Sequence, residues 1–199
     1  MSMPTGIRLR SADAATGVVR FDYRGMHRYL ITLPAGKGGA VLNRPETVVP
    51  VLDLLREAGW KEGFDVYAYC FLPARLVLMV RGKDKRSDMK RFLAIFRESS
   101  NAFAEATFGH GLWARKYLER VLRKGEQDRD VARSVFDLPR REGVAARGEE
   151  YQYQGSFVDL QAASSRHARP PKPSPRGGPP RQGGPPRRRG SPRQGGLPR

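Results

Sequence analysis

The sequence predicts an α+β domain of the split β-α-β-β-α-β kind, an antiparallel sheet with helices on one face, followed by a disordered basic tail. Three observations predict it. Tyr67–Val80 holds two apolar runs joined by a single proline, Pro73, and is the most hydrophobic stretch of the 199-residue chain. Val, Tyr, Phe and Leu at that density read as two buried strands, with the proline at their turn because it has no N–H for a ladder. Two segments with apolar residues at three- and four-residue spacing flank this pair, one before and one after, and read as amphipathic helices. From Arg166 to Arg199 there are nine Arg, one Lys, ten Pro and seven Gly, with no acidic or aromatic residue, so nothing there can bury a core.

The elements follow in order. Residues 1–25 form a lead-in without clear periodicity, with a short strand expected at Val18–Tyr23. Arg28–Leu33 alternates and is rich in β-formers, so it is a strand. Pro34–Gly39 is a glycine-rich loop; its lone Lys37 lacks the Gly-x-x-x-x-Gly-Lys-Ser/Thr spacing of a phosphate-binding loop. Asn43-Arg44-Pro45-Glu46 starts a helix whose face is Val48, Val49, Val51, Leu52, Leu55 and Ala58, ending at Gly59. The two central strands come next, then a charged loop, Arg81–Arg86, with Ser87 as a cap for the second helix. That helix runs to about Phe108. Its stripe of Met89, Phe92, Leu93, Phe96, Phe103 and Thr107 reads as core rather than a stacking platform, because helical spacing already explains it. Leu112–Leu122 mixes apolar and basic residues and is expected as a last strand; Glu126–Phe136 as a further helix, stopped near Pro139; and 143–157 as irregular. This order is the ferredoxin-like four-stranded arrangement, with one sheet face left open for a ligand or a second copy. The chain divides into a lead-in (1–25), a domain (26–160) and a tail (161–199).

The formal net charge is +17, of which the stretch from Arg166 carries +10. Such a balance points to a polyanionic partner, nucleic acid before anionic membrane. Cys70 is the only cysteine, so no intrachain disulfide can form, and it reads as a small buried hydrophobe. No apolar run approaches the roughly 18–20 residues that span a bilayer, and residues 1–20 lack the apolar core of a signal peptide. The expected protein is soluble and cytoplasmic, associated with a nucleoid or with RNA, without membrane attachment.

Several segments, in this order, resemble the REP-associated, insertion-sequence 200-like branch of the single-tyrosine HUH transposases. They are Arg28-Tyr29-Leu30-Ile31-Thr32, the Tyr69-Cys70-Phe71-Leu72-Pro73 run into a hydrophobic strand, Gly111–Leu122 around Trp113, a helix ending at Pro139, and Tyr151-x-Tyr153-x-Gly155-Ser156. The resemblance covers roughly residues 25–157. It implies metal-dependent cleavage and transfer of a DNA strand: two His one residue apart on a strand and a polar residue on a helix hold a divalent metal, and a Tyr on that helix attacks phosphorus.

Mapped position by position, the chain departs from that set. Where the family reads Pro-Asn-His-hydrophobe-His, this chain reads Pro73-Ala74-Arg75-Leu76-Val77. The nucleophile position falls at Ser134 and the third ligand at Leu138, and a slip of one residue meets Arg133 or Val135. Arg is permanently protonated and Val has no donor atom. His27, His110 and His167 lie far apart in sequence. A degenerate member without metal, cofactor or catalysis is therefore expected, although Tyr117 or Tyr151 remains open as a displaced nucleophile.

Binding outlasts lost catalysis where a fixed guanidinium takes the metal's place, because Arg matches phosphate geometry. Arg75 is the expected phosphate anchor, helped by Arg115, Lys116, Arg120, Arg123 and Lys124; the competing reading pairs Arg75 with a local carboxylate such as Asp137. In the tail, a six-residue repeat from Arg181 spaces Arg176, Arg181, Arg187, Arg188, Arg189 and Arg193 with Gly and Pro, the chemistry of RGG-like segments that contact single strands without choosing sequence. The expected function is binding of structured or single-stranded DNA or RNA, with a homodimer through the sheet possible. Two alternatives stay open: an active strand transferase with displaced residues, and an RNA-binding assembly or interaction factor.

Overall fold

The computed structural model describes residues 21–36 and 41–160. Residues 1–20 of the lead-in and the basic tail fall outside them; of the strand expected at Val18–Tyr23, residues 21–23 are described and form no strand. In chain order the elements are β1 (Arg28–Pro34), α1 (Pro45–Glu62), β2 (Phe64–Leu72), β3 (Arg75–Gly82), α2 (Met89–Phe108), β4 (Leu118–Val121), α3 (Asp128–Phe136), α4 (Leu138–Arg141) and β5 (Gln154–Gly155). The sheet is antiparallel throughout, in the order β4-β1-β3-β2-β5. Four of its strands reproduce the split β-α-β-β-α-β order, and the two-residue β5 is an addition on the β2 edge. Among the described residues no helix is long and apolar enough to cross a membrane.

The helix ends follow local chemistry. Pro45 occupies the first turn of α1, where its missing N–H costs nothing, and Glu46 complements the positive end of the helix dipole. The helix continues past Gly59 for one more turn and stops at Gly63, which adopts the left-handed conformation (φ 66°, ψ 47°) and returns its N–H to the Gly59 carbonyl. Asp88, one residue after the expected Ser87, caps α2 by accepting the N–H groups of Lys90 and Arg91 at 3.0 and 3.2 Å. Ser87 has another task. Its hydroxyl is buried, accepts the N–H groups of Lys83 and Asp84, and donates to the Gly63 carbonyl at 2.7 Å.

α1 and α2 lie together on one face of the sheet, as expected. There Val48, Val51, Leu55, Phe92, Leu93 and Phe96 meet Tyr29, Ile31 and Leu33 of β1, Leu76, Leu78 and Val80 of β3, and Phe71 of β2. The other face departs from the expectation of an open surface. A second apolar cluster there joins Ala68, Cys70 and Leu72 of β2 and Val77 and Met79 of β3 to Val131, Ala132 and Val135 of α3. An irregularity between Val66 and Ala68 lets this happen. The extra residue, Tyr67, shifts the alternation by one, so that Tyr67 and Ala68 both join the second cluster. The expected eleven-residue last strand is also shorter, because Leu112–Tyr117 forms only one isolated bridge, Ala35 to Trp113, before β4 begins.

Candidate nucleic-acid interface

Arg75 is the first residue of β3, directly after the two-residue turn at Pro73-Ala74, and pairs with Pro34 on one side and Leu72 on the other. Strand alternation sends it and Val77 to the face covered by α3 and α4. Its guanidinium forms an ion pair with the Glu142 carboxylate just beyond α4, with about a third of each side chain exposed. The carboxylate expected from sequence, Asp137, instead contacts Arg140 at 3.5 Å within its own turn. Val77 is 5% exposed and belongs to the cluster of Val131 and Val135, against which Leu138 also packs. Ser134 points outward, its hydroxyl donating to the Val131 carbonyl at 2.7 Å. Of the four mapped positions, Val77 and Leu138 thus join one apolar cluster, Arg75 pairs with Glu142, and Ser134 turns away.

These positions do not fit a divalent metal. They offer a guanidinium, an isopropyl group and an isobutyl group where a metal needs lone pairs. Among the described residues no three His, Cys, Asp or Glu side chains are grouped at metal-binding range. His27 packs against Phe21 and Tyr29, and His110 against Phe108; His167 lies outside the described residues. The two remaining candidate nucleophiles are poorly prepared for attack. Burial first, and then the neighbouring Glu119, pushes the Tyr117 phenol up to about 12. Burial first, and then Cys70, pushes Tyr151 up to about 12, and the Tyr151 hydroxyl is spent on the Phe71 carbonyl at 2.7 Å. An attacking phenol needs the opposite shift.

The basic residues fall at two ends of the sheet. Arg115 and Lys116 are exposed in the segment leading into β4, next to the bridge between Ala35 and Trp113, and Ala35 in turn donates its N–H to the Ala74 carbonyl beside Arg75. These three cations share one end. Arg97 shapes it from below, donating to the Ala114 carbonyl at 2.7 Å with its guanidinium over the Tyr117 ring. Arg123 and Lys124 are exposed at the opposite end, after β4. Arg120 sits near them but is half-buried and bonded to Glu126 at 2.6 Å. Burial alone would raise the Glu126 pKa; the Arg123 N–H and the Arg120 guanidinium outweigh it and hold that carboxyl below its ordinary value. Arg176, Arg181, Arg187, Arg188, Arg189 and Arg193 lie outside the described residues.

Sequence reasoning passed over the outer surface of α3–α4, where Arg129, Arg133, Arg140 and Arg141 are exposed. The four-residue spacing of Arg129 and Arg133, opposite the apolar Val131 and Val135, was the available signal. It also passed over Trp60, which is 79% exposed at the end of α1.

No protein-family model matches the chain, and no curated protein matches it. Among solved structures it is similar to that of a REP-associated tyrosine transposase bound to a REP hairpin, with a TM-score of 0.53 and 13% identity, covering 66% of this chain and 76% of that one. A putative transposase from Deinococcus radiodurans R1 aligns over 64% of this chain and 97% of its own at 18% identity, but its TM-score of 0.42 is too low to carry an argument. The fold of the described domain is thus that of the REP-associated transposase.

Proposed function

We propose that this chain is a nucleic-acid-binding protein built on a transposase-like fold, and that it holds its ligand without cutting it. The observation that carries this reading is the state of the mapped positions: Arg75 stands at one of them, paired with a partly exposed Glu142, while Val77 and Leu138 belong to the apolar cluster under α3 and α4. A site in that state has a positive charge to offer a phosphate and no means of activating one. The exposed cations at both sheet ends and the basic tail supply the remaining attraction. The similar transposase is bound to a hairpin, which makes a hairpin with single-stranded flanks the first ligand to try.

The Arg75–Glu142 pair is partly exposed, so it holds its partner only weakly, by about 0–1 kcal/mol. A phosphate is expected to displace Glu142. Binding of labelled hairpin and single-stranded DNA and RNA should therefore weaken in Arg75→Ala and strengthen in Glu142→Gln, which removes the competitor. Unchanged affinity in both variants removes Arg75 from the interface, and no binding of any of the four ligands removes the whole reading. Changing the six named tail arginines to Gln should flatten the slope of log affinity against log salt by up to about 4, at roughly 0.7 per neutralised phosphate on a single strand. An unchanged slope would make the tail a spacer.

A further inference from the structure

We infer a second nucleic-acid contact at the far end of α1, where Trp60 forms a stacking platform for a nucleobase; this rests on the nucleic-acid reading above. Trp60 is 79% exposed, more than any other large apolar side chain described. An indole left in water forfeits a large burial term, so its exposure next to a formed cavity points to a partner. It borders a groove of about 380 Å3 whose opposite wall is the Asp84–Ser87 loop and Arg91 of α2.

The charges favour a nucleotide over an apolar protein segment. Of the cations in the lining, Lys61 is paired with Glu57 at 2.6 Å, and Arg86 and Arg91 face Glu62 and Asp84. Both acids are already engaged: Glu62 pairs with Arg91 at 2.9 Å, and Asp84 accepts the Arg86 N–H at 2.6 Å. Among the described residues, the Arg86 guanidinium has no ion pair. It is the group placed to take a phosphate while the base lies on the indole. The groove is built in advance. Ser87 ties the loop to Gly63 at 2.7 Å, Lys83 donates its N–H to the same carbonyl at 2.8 Å, and a Cβ at neighbouring Gly82 would meet the Gly25 carbonyl oxygen at 2.1 Å. Ligand ordering then falls on the strand alone. Gly82 and Lys83 close the sheet at the end that also bears Arg123 and Lys124, so one strand can touch both.

The two tryptophans make the test direct. Trp113 is buried, with its Nε1 donating to the Ser100 hydroxyl at 2.7 Å, so a contact quencher in solvent reports Trp60. A short oligothymidylate added to the full chain should quench the Trp60 emission and shield it from acrylamide. Trp60→Ala should fold with unchanged melting, bind roughly five- to a hundredfold more weakly, and show no quenching from Trp113. Trp60→Phe should keep most of the affinity. Full-strength binding by Trp60→Ala without loss of the optical signal overturns the inference and leaves the general reading standing, with the groove assigned to some other partner. Failure of the unaltered chain to bind oligothymidylate while it binds a hairpin overturns the inference alone; failure to bind any hairpin or single-stranded ligand overturns both.

Discussion

The two faces of one sheet are built differently. The face under α1 and α2 is filled by large groups, with Tyr29, Phe71, Phe92 and Phe96 among the fully buried ones, and its ring contacts include Phe64 stacked on Phe92 at 4.9 Å. The face under α3 and α4 has a smaller apolar centre with a single aromatic, Tyr67, among its buried residues, and it is fastened at each end by ions. Arg28 contacts Asp128 and the carbonyls of Arg123 and Glu126 at one end, and Arg75 pairs with Glu142 at the other. The first face makes the fold. The second carries the positions mapped onto the resembling family's site, of which Val77 and Leu138 belong to its apolar cluster while Arg75 and Ser134 keep exposed surface.

That contrast is broken most readily by truncating each face. Phe96→Ala should cost about 3–5 kcal/mol, since it leaves a ring-sized cavity on the first face. Val135→Ala on the second should cost about 1–2 kcal/mol, two methyl groups' worth of burial. Chemical denaturation measures both, and equal losses would mean that the second face is as much a part of the core as the first.

The ionic ends should differ from each other. Arg28 and Asp128 are each less than a fifth exposed, and Arg28 also satisfies two main-chain carbonyls, so Arg28→Ala should lower stability by about 2–3 kcal/mol. Arg75→Ala should change it by less than about 1 kcal/mol, because its pair is open to water. A large loss in Arg75→Ala would reassign that residue from ligand contact to structural fastening.

A smaller effect sits with the phenols. Folding raises the Tyr117 and Tyr151 pKa values from the ordinary 10 to about 12. The protonated form is the one the fold favours, so their contribution is complete below pH 10 and is lost as pH climbs through about 12. A spectrophotometric titration of tyrosinate should find these two ionising late. Any phenol ionising below its ordinary value would instead mark an activated nucleophile and sharpen the case for chemistry.

Much of this was legible in the sequence, for reasons that can be traced to particular residues. The uninterrupted run Tyr67–Leu72 showed that β2 is buried, and the spacing of Met89, Phe92, Leu93 and Phe96 placed α2 on the core. The strict alternation of Arg28–Pro34 also fixed which face β1 buries, with Tyr29, Ile31 and Leu33 fully enclosed. The same unbroken run in β2 held a further message, since a strand apolar on both sides needs cover on both; the open face expected from topology concealed it. The residue mapping of Arg75, Val77 and Leu138 came from motif order; in the fold Val77 and Leu138 belong to one apolar cluster and Arg75 pairs with Glu142. The pairing of Arg75 with Glu142 rather than Asp137 was out of reach. It depends on how α4 turns after Pro139, and short-range sequence rules do not settle the path of such a turn. Trp60 escaped notice because a single residue off the apolar stripe carries no periodic signal.

Binding without cutting can be tested in a single assay. The most direct measurement mixes the full chain with hairpin-flanked single-stranded DNA and magnesium or manganese, and resolves the products under denaturing conditions. The account predicts retention of the DNA in the native complex, intact strands after denaturation, and no protein–DNA adduct. A metal-dependent nick, or a covalent link mapped to Tyr117 or Tyr151, would contradict it.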